Sequence, residues 1–215
     1  MSGCDDLPKS VRVIHDTTQL SDKRTILCRG VDGGHPRMKG LSLRSRFMSE
    51  RACYCAHAKY LNAKQMLDEF STILIMDVDA LVRRELTDLV KIIQSCDFTA
   101  SSKERVDSRV VNKNYPIFKE GVIGINNTKT SREFFTQLYK ELCKAKKLSD
   151  YDIDTDSIIM GKTFFENKNS INYINLPKTY KDTEFNKSSH IWSGKGDRKD
   201  NNIKYIAEYE NYRRH

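Results

Sequence analysis

FSTILIMDVDALV, residues 70–82, is the stretch on which the fold turns. From Phe70 to Met76 it is continuously apolar and β-branched, and it is too short for a typical helix. Such a run fits a strand buried on both faces, as in a parallel sheet with helices on either side. It ends abruptly in Asp77-Val78-Asp79. Two carboxylates at the C-terminal end of a buried strand lie where open α/β sheets bind ligands. They cannot both be ionised and dry without a cation. Oxygen ligands suit Mn²⁺ or Mg²⁺, which would also bridge a diphosphate. Asp77 and Asp79 are therefore the leading candidate metal ligands. A D-x-D in a surface loop carries little meaning, but this one lies between two apolar runs.

Outward from this stretch, strands and helices alternate. SERACYCAHAKYLNAKQML (49–67) is alanine-rich, with Ser49 as its N-cap, and predicts a helix. A second helix is expected from about Glu85, with Leu86, Leu89, Val90, Ile92 and Ile93 at helical spacing. DFTASS (97–102) and EGVIGINN (120–127) read as strands, separated by a polar loop. SREFFTQLYKELCKAKK, from Ser131, carries an apolar stripe of Phe134, Phe135, Leu138, Leu142 and Cys143, and lysines crowd its C-terminal end. SDYDIDTDSIIM (149–160) is an acidic turn running into an apolar segment, and INYINLP (171–177) is a last strand. The remainder, including SSHIWSGKGDRK, reads as polar and loop-like. Upstream, VRVIHD (11–16) is a short strand closing on an acid, and RGVDGGHPRMKG (29–40) a basic, glycine-bearing loop. This alternation predicts a single α/β domain over 1–199 and a charged C-terminal tail over 200–215.

Composition narrows the class. At 215 residues the chain suffices for one α/β domain. No run approaches the 18 or so apolar residues of a membrane span, so membrane insertion is not expected. The opening MSGCDDLPKS lacks the cationic start and apolar run of a secretory signal, which points to a cytoplasmic protein. Six cysteines (Cys4, Cys28, Cys53, Cys55, Cys96 and Cys143) include no CxxC pair and read as reduced thiols. A net charge of +8 implies an anionic partner: a nucleotide, a phosphorylated acceptor or nucleic acid.

MLDEFSTILIMDVDALVRREL resembles the corresponding segment of GT-A glycosyltransferases, in particular the glycogenin-like retaining group. There a helix precedes an apolar strand ending in D-x-D. The resemblance implies a GT-A, Rossmann-like fold with a mixed, mostly parallel sheet flanked by helices. It also implies transfer of a sugar from a nucleoside-diphosphate sugar, UDP-sugars being favoured, to an acceptor hydroxyl with retention. KEGVIGIN (119–126) is similar to the next family landmark, although Lys119 and Glu120 stand where an asparagine and a small hydroxylic residue are usual. Glu120 and Gly121 would border the acceptor and sugar site.

DIDTDSIIM resembles the later acidic landmark, matched by Asp154 or Asp156, with Asp156 preferred because the apolar residues begin just after it. HIWSGKGDRK resembles the closing H-x-x-G-x-x-K motif. Through it His190 would be the third metal ligand and Gly194 and Lys195, with Arg198 behind, would hold the diphosphate. Lys59 would point toward the phosphates or stand solvated on its helix. Asp16 and Thr17 would approach the nucleoside if VRVIHD plays the first-strand role. Trp192 is either a packing residue or a sugar-stacking platform. Two other classes remain open: a nucleotidyltransferase, and a basic nucleic-acid-binding module without catalysis. A glycosyltransferase acting on DNA would combine the second with the main reading.

Overall fold

The computed structural model describes residues 26–27, 47–48, 58–60, 62–104, 115–144, 155–194 and 198–214. Strands β1 (Ile26–Leu27) and β2 (Phe47–Met48) pair antiparallel. VRVIHD and the basic loop 29–40 lie outside the described residues. Residues 58–60 and 62–66 are helical (α1), as the alanine-rich segment predicts.

The central sheet has the order β3-β6-β5-β7, formed by Thr72–Met76, Pro116–Asn126, Phe98–Glu104 and Tyr173–Asn175. Helices cover it on both sides, giving the mixed α/β layering expected. On one face α1, α3 (Lys129–Lys144) and α4 (Thr155–Asn167) pack Tyr60, Phe134, Phe135, Leu138 and Met160 onto Ile73, Phe98, Phe118, Ile123 and Ile125. On the other, α2 (Thr87–Gln94) lays Leu89 and Ile93 over Val122, Leu176 and Tyr180. The fit there is close: a β-carbon at Gly124 would lie 2.3 Å from Ile93 Cγ1, so only glycine lets the helix approach β6 this far.

Strand directions are mixed. β5 runs parallel to β7, whereas β6 runs antiparallel to both β3 and β5. The apolar run 70–76 is not the strand buried on both faces that its hydrophobicity predicts: β3 lies at the edge of the sheet, only Ile73 is fully buried, and Phe70 and Met76 are exposed.

Two stretches behave differently from their sequence expectation. Ile191–Ser193, within the segment read as loop, forms β8 and pairs antiparallel with β4 (Ala80–Val82). The charged stretch from residue 200 is no appended tail. After the short helix α5 (Arg198–Asn201), Asn202 caps α6 (Ile203–Arg213) by accepting from the Lys204 and Tyr205 backbone N–H groups. Helix α6 then docks on β4, with Glu208 accepting from Arg83 at 2.8 Å and the Tyr212 hydroxyl donating to Val82 O at 2.7 Å. Among the described residues no helix is long and apolar enough to cross a membrane.

Candidate active site

The D-x-D turn is tied at three points. Asp77 N donates to Gly121 O at 3.0 Å, continuing the β3–β6 ladder by one residue. Ala80 N then donates back to Asp77 O at 2.9 Å, which closes the turn. Asp79 O accepts from Gly194 N at 2.9 Å and from the Tyr205 hydroxyl at 2.8 Å. Burial, and after it the charge of Asp79, raises the pKa of the Tyr205 phenol, so it stays protonated and donating. Val78, between the two acids, is fully exposed.

Gly121 sits in an irregularity of β6. Ala100 pairs with Ile123, but Ser101 pairs with Lys119, so Glu120, Gly121 and Val122 are extra residues against β5. Bulges of this kind bend a strand and re-aim what it carries. Here the bulge turns Gly121 toward the D-x-D turn. A β-carbon on Gly121 would lie 2.7 Å from Asp77 Oδ2, 2.9 Å from Lys181 Cε and 3.0 Å from Lys181 Nζ. The glycine thus leaves a cradle that the Asp77 carboxylate and the Lys181 ammonium both border.

These residues suit a divalent cation. Asp79 Oδ1 is buried and has no hydrogen-bond partner among the described residues. Such an oxygen is costly unless something positive completes it. No group of three His, Cys, Asp or Glu side chains among the described residues could enclose a metal. Asp77 and Asp79 offer two carboxylates at most, and Mg²⁺ is among the cations that bind through one or two carboxylates and take their other ligands from water and phosphate.

The structure does not bring His190 to these acids. Asp79 faces Gly194 and Arg83 faces His190, at opposite ends of the β4–β8 ladder. His190 and Gly194 lie four residue steps apart along extended chain, roughly 13 Å of backbone. The ring is also engaged elsewhere, with Nδ1 donating to Glu85 O at 3.0 Å and its face on Tyr180, centroids 4.7 Å apart. Trp192 is a packing residue. It is buried against Phe185, stacked by the Arg83 guanidinium at 3.7 Å, and its indole N–H donates to Asn186 O.

Lys59 and Asp156, two separate candidates, are brought together. Lys59 Nζ lies 3.7 Å from Asp156 Oδ2, and both side chains are largely buried. Asp156 Oδ1 accepts from Ser157 N at 3.0 Å, and the Ser157 hydroxyl donates to Phe118 O at 3.1 Å. The start of α4 is thereby fixed against β6, upstream of the bulge. Gly194 admits the Tyr205 ring, whose hydroxyl oxygen would lie 2.7 Å from a β-carbon there. Asp16, Asp154 and Lys195 lie outside the described residues, as do the side chains of Glu120 and Arg198.

Sequence reasoning missed Lys181, Asp182 and Tyr205. Asp182 is buried and organises the loop after Lys181. It accepts from Glu184 N at 2.7 Å, Asn186 N at 2.6 Å and the Ser189 hydroxyl at 2.7 Å. Burial alone would raise its pKa, but these hydrogen bonds outweigh that and hold it below the ordinary carboxylate value. The only signal in the sequence was the pair Lys181-Asp182 following a predicted strand.

No family model matches the chain, and neither does any curated protein. Among solved structures it is similar to the galactosyltransferase LgtC in complex with donor and acceptor sugar analogues. That match has 16% identity and a TM-score of 0.43, and covers 73% of this chain and 59% of that one. It is similar to mouse xyloside xylosyltransferase 1 in its apo form, at 12% identity and a TM-score of 0.45, over 82% of this chain and 70% of that one. An active-site mutant of LgtC matches at 14% identity and a TM-score of 0.48, over 83% and 70% respectively. The chain thus spans less than two thirds of the first galactosyltransferase.

Proposed function

We propose that this chain is a glycosyltransferase of the GT-A type that moves a sugar from a nucleoside-diphosphate sugar to an acceptor hydroxyl. The observation that carries this reading is the D-x-D turn itself: the Asp77 carboxylate sits in the Gly121 cradle near Lys181, and Asp79 Oδ1 is buried without a donor among the described residues. Asp77 and Asp79 would hold a Mn²⁺ or Mg²⁺ ion, which stabilises negative charge on the departing diphosphate. The protein's own part is to hold fixed charges where that negative charge develops. The turn is pinned through the backbone of both acids, which fixes the positions from which their carboxylates extend.

Asp156, paired with Lys59 at the start of α4, is the candidate to touch the donor sugar or position the acceptor. The family resemblance favours retention and a UDP-sugar. The charge of +8 favours a polyanionic acceptor such as DNA.

The test is incubation with Mn²⁺ and a panel of UDP- and GDP-sugars, with and without DNA. The account expects metal-dependent release of nucleoside diphosphate, falling about 10²-fold or more in Asp79→Asn. Wild-type activity in that variant would remove the metal assignment. Release or consumption of pyrophosphate would instead indicate nucleotidyl transfer. Salt-sensitive DNA binding with no metal requirement and no turnover would indicate a binding module.

A further inference from the structure

Lys181 is a lysine that the fold carries inward: only 7% of it is exposed, and burying an ammonium is costly. The backbone on both sides of it is fixed. A 3₁₀ turn, Lys178–Tyr180, ends with Lys181 N donating to Lys178 O at 3.1 Å, and Tyr180 is locked in the second core beneath the His190 ring. On the other side Asp182 N donates to Ile191 O at 3.0 Å, and Ser193 N donates to Asp182 O at 2.8 Å. The side chain held between them reaches over the β6 bulge. There Lys181 Nζ lies 3.0 Å, and Asp77 Oδ2 2.7 Å, from the same point above Gly121.

We propose that Lys181 is a donor-site residue whose ammonium takes up the diphosphate and makes the binding of metal and donor interdependent. This rests on the reading of the D-x-D turn as the donor site. The argument is one of sign. A fixed positive charge beside Asp77 opposes a divalent ion arriving alone, because like charges repel at short range. The same charge attracts a diphosphate, and an anion placed between ammonium and metal converts the repulsion into shared attraction. Binding of each ligand therefore strengthens binding of the other, by the same factor in both directions.

The experiment compares wild type with Lys181→Met, and with Lys181→Gln should the first not fold; thermal unfolding confirms each fold. Binding of Mn²⁺ alone is read by electron paramagnetic resonance, and binding of UDP and GDP at saturating Mn²⁺ by calorimetry. In the neutral variant Mn²⁺ alone should bind several-fold more tightly, and the nucleotide about ten-fold more weakly. Lys181→Arg should restore most of the nucleotide affinity. Nucleotide binding unchanged in a folded neutral variant would overturn the proposal. So would a loss of Mn²⁺ affinity in parallel with nucleotide, which would make the lysine a mere support for Asp77. A wild type that binds neither Mn²⁺ nor nucleotide would remove the donor-site reading itself.

Discussion

Asp77 and Asp79 stand two residues apart yet are held differently. Asp77 presents its carboxylate to the Gly121 cradle, whereas Asp79 is pinned by its backbone carbonyl and keeps one side-chain oxygen buried without a donor among the described residues. The cradle gives the sharpest residue-scale prediction. In Gly121→Ala the added methyl would meet Asp77 Oδ2 at 2.7 Å and the Lys181 side chain at 2.9 Å. Turnover and metal-dependent nucleotide binding should fall at least about ten-fold, while circular dichroism stays native, because the lysine tip can shift but the turn cannot. A fully active Gly121→Ala enzyme would show that the cradle plays no part. The acid pair was legible because two aspartates at the end of an apolar run contradict their surroundings. Lys181 was not, since it is one of 37 Lys and Arg residues and nothing in PKTYKDTE marks it as buried. His190 came to the metal only through a motif resemblance, which carries no information about which end of a strand pair the histidine occupies.

Helix α6 and the loop after Lys181 both brace the D-x-D turn, and each can be loosened separately. Helix α6 clamps it from outside through the Tyr205 hydroxyl on Asp79 O. Tyr205→Phe should cost about 1 kcal/mol of stability, the usual worth of one part-buried hydrogen bond, and should reduce turnover by more than its effect on the nucleotide KM. An effect on stability alone would make α6 simply packing. The loop organised by Asp182 supports Lys181 from the other side. Asp182→Ala should destabilise the fold by roughly 2–3 kcal/mol, since three donors lose their acceptor.

That cost depends on pH with a defined sign. The folded carboxylate titrates below its ordinary value near 3.8, so its contribution is present above that value and is lost as pH falls through the lower, folded one. Chemical denaturation at pH 7 and at pH 3 measures the difference, which should shrink at the acid end. Equal destabilisation at both would contradict the hydrogen-bonded carboxylate. Neither α6 nor β8 was legible as an element of the site. β8 is only three residues long and α6 is rich in charge, and Ile191 finds its buried partners in segments far away in the chain, among them Leu89, Ile93 and Val122.

At the scale of the whole molecule the sequence carried the layering well. Helix α3 and strands β3, β5 and β7 form at the segments that hydrophobic period and length mark out. By contrast, β6 begins at Pro116, ahead of the expected 120–127, and β3 is a part-exposed edge strand rather than one buried on both faces. Strand direction and the β6 bulge were not legible, since both follow from which segments meet across the sheet rather than from any local preference. The account of function also holds at this scale: mixed sheet, bulge and docked C-terminal helix all converge on one acidic turn beside a buried lysine. Its central claim is that this turn is a metal-dependent nucleotide-sugar site. The measurement that tests it most directly is calorimetric titration of UDP, then GDP, into wild type and Asp79→Asn, each with and without Mn²⁺. The account predicts binding of one nucleotide that requires Mn²⁺ and disappears in Asp79→Asn while the variant remains folded. Binding of neither nucleotide under any metal condition, or binding indifferent to both Mn²⁺ and Asp79, would contradict it.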